Sequence, residues 1–93
     1  MRPSKNQALI NALATEIKLR RRALELSQED LAGHCQLDRP YISLIEAGRK
    51  QPTLNVLLRL AEGLQHSLSD FMGLVHERYL LELAAVAPLQ AIT

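Results

Sequence analysis

Two helix starts lie close together in the stretch SQEDLAGHCQLDRPYISLIEAGRKQP, residues 27–52. Ser27 stands before Gln28-Glu29-Asp30, an S-x-x-[DE] box in which a hydroxyl and a carboxylate cap the first backbone N–H groups of a helix. Asp38 stands before Arg39-Pro40, and proline fits the first helical turn, where its missing N–H costs little. Gly48 then closes the second of these helices as the residue after its C-terminus. The punctuation leaves room for about two turns in each helix, Gln28 to Cys35 and, after the Asp38 cap, on to about Ala47, with a connection of three or four residues. Helices this short are not stable alone in water. They must pack on each other at a steep angle and on further helices.

The remainder of the chain supplies those helices. Leu9, Ile10, Leu13, Ile17 and Leu24 recur at helical spacing and predict a first helix from about Lys5 to Leu24, after a short basic tail, Met1 to Ser4. Thr53 opens a fourth helix carrying Leu54, Leu57, Leu58, Leu60, Ala61 and Leu64. Ser67 and Asp70 cap a fifth, whose Leu68, Phe71, Met72, Val75, Tyr79, Leu83 and Val86 keep the spacing until Pro88, the expected stop. Leu89 to Thr93 are expected to be loosely held. With no strand signal, the fold class is all-α, five helices in a single domain spanning residues 1–93. Hydrophobic residues make up 47% of the 93 and aromatic residues 3%, so the core is expected to be aliphatic. Leu31, Ala32 and Cys35 should face it from the second helix, and Ile42 and Ile45 from the third.

Charge is uneven along the chain. Residues 1–50 hold nine Lys/Arg against six Asp/Glu, and residues 51–93 hold two against four. The first half is therefore the half suited to an anion. One cysteine, Cys35, excludes an internal disulfide and fits a reducing cytoplasm. No apolar run approaches a membrane span, and the N-terminal sequence lacks the h-region of a secretory signal. His34, Cys35, His66 and His76 lack the spacing of a metal site. No glycine-rich phosphate loop, nucleophile elbow or Ser/His/Asp set is present. Neither an enzyme nor a metal or other cofactor is expected.

The stretch Ser27–Pro52 resembles the helix-turn-helix of the phage-repressor or xenobiotic-response-element family, the Cro- and lambda-repressor-like DNA-binding domains. The resemblance rests on SQEDLA at 27–32, YISLIEAG at 41–48, the proline at 52 and LLRLAEGL at 57–64, and covers about Ile17 to Phe71. It implies a five-helix lambda-repressor-like domain with a core of about residues 8–73 and the helix-turn-helix at 27–48. Two positions depart from the family's pattern, with Glu25 and Gln36 standing where glycine is usual. A left-handed backbone at each would cost about 1–2 kcal/mol.

Residue roles follow from the same resemblance. Arg39, Pro40, Ser43 and Leu44 occupy the face of the third helix that reads bases in the family. There Arg39 suits guanine O6/N7, Pro40 and Leu44 suit thymine methyls, and Ser43 suits a base or a phosphate. Gln28, Tyr41, Arg49, Lys50, Thr53 and Asn55 are the expected phosphate contacts, with a partly buried structural role open for Tyr41. Of Arg20, Arg21 and Arg22 one is expected on the DNA backbone and the others on acids such as Glu16 or Glu25. Glu46 is expected to bond an arginine of the first helix such as Arg21.

The implied function is a sequence-specific transcriptional regulator that binds double-stranded DNA as a homodimer on a two-fold operator. Its size resembles small phage-type repressors and restriction–modification controllers. The alternative from another class is an antitoxin that docks a toxin and binds its own operator; a helical adaptor without DNA binding is a third. The apolar stripe of the fifth helix runs beyond the small core, to about residue 87. Val75, Tyr79, Leu80, Leu83 and Val86 are therefore expected at a dimer interface. The competing reading folds that stripe back on the first helix.

Overall fold

In the computed structural model the backbone is described from Asn6 to Ile92 and side chains from Asn6 to Ala85. The expected basic tail (Met1–Ser4) and the expected interface side chain Val86 fall outside those residues. Five helices follow in order: α1 (Gln7–Ala23), α2 (Gln28–Cys35), α3 (Arg39–Glu46), α4 (Leu54–Gly63) and α5 (Leu68–Ile92). No strand occurs among the described residues.

Caps set the starts. Ser27 and Asp30 form the reciprocal box at α2: Ser27 Oγ accepts the Asp30 N–H at 2.9 Å, and Asp30 Oδ2 accepts the Ser27 N–H at 2.9 Å. These hydrogen bonds hold the Asp30 carboxyl below its ordinary pKa. Asp38 accepts the Tyr41 N–H at 2.9 Å, and Thr53 accepts the Val56 N–H at 3.3 Å. Each such cap contributes about 1 kcal/mol. At α5 only half of the expected box forms, with Ser67 Oγ accepting the Asp70 N–H at 3.1 Å. The first helix starts later than periodicity suggests, because Asn6 is its cap and accepts the Leu9 N–H at 3.1 Å.

The four shorter helices all end in the same way. Just past each helix a backbone N–H donates five residues back (Leu26 to Arg21, Leu37 to Ala32, Arg49 to Leu44, His66 to Ala61), and the residue before the donor has positive φ. Only one of those four residues is glycine, Gly48 at φ 71°; the others are Glu25 (58°), Gln36 (57°) and Gln65 (64°). The family's turn is thus kept without its glycines, at a steric cost of about 1–2 kcal/mol per position. Gln36→Gly should accordingly raise the unfolding free energy by about 1 kcal/mol. Urea denaturation reads this as a higher midpoint at unchanged slope, and an unmoved midpoint would show that the left-handed turn carries no strain.

Leu13, Ile17, Leu31, Ala32, Ile42, Ile45, Leu60, Leu64 and Phe71 build the core, with Cys35 buried among them. Gly63 makes room for that thiol, since a Cβ at residue 63 would lie 2.5 Å from Cys35 Sγ. Burial pushes the Cys35 thiol pKa up to about 11, which keeps it protonated and unreactive.

Three expectations for α5 are corrected. Val75, expected at a dimer interface, is completely buried in the subunit's own core, because the helix packs on α1 further along than the minimal domain requires. Tyr79, also expected there, is half-buried against the same core, with its hydroxyl accepting from Asn6 Nδ2 at 3.3 Å. The fold-back reading therefore holds as far as Tyr79. Leu80 and Leu83 remain exposed, at 50% and 40%. Nor does Pro88 end the helix, which continues to Ile92. Proline's fixed φ is itself helical, and Ala84, Ala85 and Ala87 before it are the strongest helix formers.

Candidate nucleic-acid interface

The recognition element is held from behind by α1. Arg21 lays its guanidinium fork on Glu46 at the end of α3, with Nε 2.6 Å from Oε2 and Nη2 3.0 Å from Oε1. Its Nη1 donates to the Leu26 carbonyl at 2.8 Å, so one side chain ties α1, the α1–α2 turn and α3 together. The hydrogen bonding of Arg21 to Glu46 outweighs burial and raises the Arg21 pKa above its ordinary value. Side-chain exposures of 12% and 4% make this a nearly dry pair. At the other end of α1, Gln7 Nε2 donates to the Gly48 carbonyl at 3.0 Å. The C-terminal end of α3 is thereby fixed at two points while its first turn stays free.

That free turn carries the expected reading face. Arg39, Pro40 and Leu44 are exposed and Ser43 is half-buried. At about 100° per residue the four lie within an arc of roughly 140° on α3. Ile42 and Ile45 point the opposite way, into the core. Two short helices, joined by residues 36–38 and packed on each other, are the helix-turn-helix arrangement, in which the second helix enters a groove about 12 Å wide.

Flanking groups divide into two sets. On one side Arg49, Lys50, Thr53 and Asn55 are exposed around the start of α4. The Lys50 ammonium sits over the Tyr41 ring, 5.6 Å from its centroid, and Tyr41 packs partly on the core. The first turn of α4 contains no acid, so its dipole and N–H groups favour an anion. The start of α2 is different, because Glu29 and Asp30 occupy its first turn. There Gln28, expected to hold phosphate, donates its amide to Glu46 Oε1 at 3.1 Å and so braces the ion pair.

Cations for that side come from α1. A cleft of about 280 Å³ is lined by Lys18, Arg21, Arg22 and Gln28 together with Ser43, Glu46 and Ala47. Lys18 and Arg22 are four residues apart and share one helix face. Sequence reading left the choice among Arg20, Arg21 and Arg22 open and passed over Lys18. The spacing of Lys18 and Arg22 was a signal for the pair, but only the position of α2 shows which face it matters on. Arg20 instead donates to the Leu64 carbonyl at 2.9 Å, and Glu16 pairs with Arg78 at 2.6 Å, not with an α1 arginine. No cluster that could hold a metal occurs among the described residues, and no helix there is long and apolar enough to cross a membrane.

A helix-turn-helix with the first turn of its second helix exposed and cations on both flanks defines a class of DNA-binding domain. The chain belongs to the helix-turn-helix domain family, whose model matches residues 12–70. It is similar to the control protein C.MunI of a Mycoplasma species, with 42% identity over 56 residues, 60% of this chain and 76% of C.MunI. The restriction–modification controller C.Esp1396I, solved as a tetramer in complex with its natural 35-base-pair operator, is 33% identical, with a TM-score of 0.72 over 77% of this chain and 95% of that one. The clp gene regulator ClgR of Corynebacterium glutamicum shares the fold over 97% of this chain and 94% of its own, with a TM-score of 0.80 at 21% identity.

Proposed function

We propose that the protein is a sequence-specific DNA-binding transcriptional regulator of the restriction–modification controller kind, acting as a homodimer on a two-fold operator. The observation that carries this reading is the free first turn of α3. Arg39, Pro40, Ser43 and Leu44 are presented on a helix whose far end is clamped by Arg21 and Gln7. Such a face supplies only a few base contacts, and a second copy doubles them. Arg49, Lys50, Thr53 and Asn55 hold phosphates on one flank, and Lys18 and Arg22 on the other, with Tyr41 supporting Lys50. The similarity to controllers favours this role over the antitoxin alternative. In this reading residues 1–93 are one module, and a double-stranded DNA partner supports a cytoplasmic location.

Arg39→Ala tests the reading face. Preference at one base pair per half-site should fall by about 1–3 kcal/mol while the fold is unchanged. Binding that weakens with all base preferences intact would make Arg39 a phosphate contact instead. Lys50→Ala tests the flank: operator and random DNA should weaken alike, and the salt slope should flatten by about one unit. A slope identical to that of the unmodified protein would remove Lys50 from the phosphate set.

A further inference from the structure

A glycine followed by two cations ends the reading helix, and the peptide that leads from the glycine to the cations is held at both poles. Gly48 has φ 71° and is buried. Without a Cβ it lets the plane of the Gly48–Arg49 peptide turn over at little cost, a flip that other residues resist. The direction in which Arg49 and Lys50 leave α3 is therefore not set by the helix alone. The N–H of this peptide, that of Arg49, donates to the Leu44 carbonyl at 3.0 Å. Its carbonyl, that of Gly48, accepts from Gln7 Nε2 at 3.0 Å. A planar peptide tied at both poles keeps one orientation. In that orientation the Lys50 ammonium lies over the ring of Tyr41 on α3.

Gln7 is itself held in place. It is the first residue of α1, and Asn11 follows one turn later on the same face. Gln7 Nε2 donates to Asn11 Oδ1 at 2.8 Å as well as to Gly48, so both protons of its amide are used. Asn11 in turn packs against the glycine, since a Cβ at residue 48 would lie 2.8 Å from Asn11 Oδ1. Glycine is thus demanded twice at residue 48, by its φ and by the amide pair beside it. The helix start is anchored as well: Asn6 accepts the Leu9 N–H and donates to the Tyr79 hydroxyl of α5 at 3.3 Å.

We propose that Gln7 is a positioning residue for DNA binding, its amide fixing the Gly48–Arg49 peptide so that Arg49 and Lys50 are presented together to the phosphates. The inference rests on the assignment of those two cations to the DNA backbone and adds what aims them. Phosphate contacts carry no sequence information, so loss of Gln7 weakens every duplex alike and leaves the base preference of α3 as it was.

A double-mutant cycle in the full chain tests this, read by DNA affinity as a function of salt. Gln7→Met keeps the length of the side chain and removes the donor. Alone it should weaken operator and random duplex alike by roughly three- to tenfold, the net worth of one hydrogen bond. The salt slope should flatten by about one unit. Made on top of Arg49→Ala with Lys50→Ala, the same change should move neither affinity nor slope. An equal loss in both backgrounds would show that Gln7 acts through the fold and overturn the proposal. Unchanged affinity in the first background, or a shift in base preference, would overturn it too. The cation pair separates the two levels: if Arg49→Ala with Lys50→Ala leaves affinity and slope as they were, the phosphate assignment fails and this inference falls with it. Should Gln7→Met not fold, Gln7→Ala, which keeps a strong helix former at the start of α1, takes its place. A chain that unfolds with either change would make Gln7 a residue of the fold alone and refute its positioning role.

Discussion

Glu46→Ala should destabilise the domain by about 3–5 kcal/mol, the cost of leaving one member of a nearly dry ion pair without its partner. Arg21 keeps the Leu26 carbonyl but loses both carboxylate oxygens, and Gln28 loses its acceptor. The loss is large because a domain of this size is held by only about 5–15 kcal/mol in total. Urea denaturation followed by circular dichroism reads the effect. Glu46→Gln, which retains an acceptor without the charge, should fall between the two proteins. A Glu46→Ala midpoint equal to that of the parent would mean that Arg21 and Gln28 are adequately solvated without the carboxylate.

The second large effect concerns the dimer. Leu80→Asp together with Leu83→Asp should leave a folded monomer whose operator affinity falls about 10²–10⁴-fold, since two linked half-site contacts become one. Both leucines are exposed in the subunit, so the fold has little to lose. Tyr79 is left intact because it packs on its own core and bonds Asn6. A double variant that still sediments as a dimer would move the interface elsewhere. One that unfolds would mean that these leucines belong to the subunit's own core, as the fold-back reading holds.

What was legible in the sequence was mostly local. Ser27, Asp38, Thr53 and Ser67 act on N–H groups three residues away, so their spelling alone marks where helices begin. The Arg21–Glu46 pair lies far apart in the chain and was legible only through resemblance to a family. Val75 was misplaced because a three/four spacing shows that a residue belongs to an apolar stripe, not which neighbour covers it. Gln28 looked like a phosphate ligand by position; its engagement depends on where Glu46 arrives from α3. Gln65 went unread for another reason. A left-handed residue that is not glycine leaves no mark in composition, whereas Glu25 and Gln36 stood out only against a family pattern.

In the proposed complex, α3 of each subunit reads one half of a two-fold operator. Selection of bound sequences from random duplex DNA with the purified chain tests it most directly. The expected result is an inverted repeat whose half-site centres lie about 10–10.5 base pairs, one helical turn, apart. Failure to enrich any sequence, or enrichment of a single unpaired half-site at concentrations where the protein is dimeric, would contradict it.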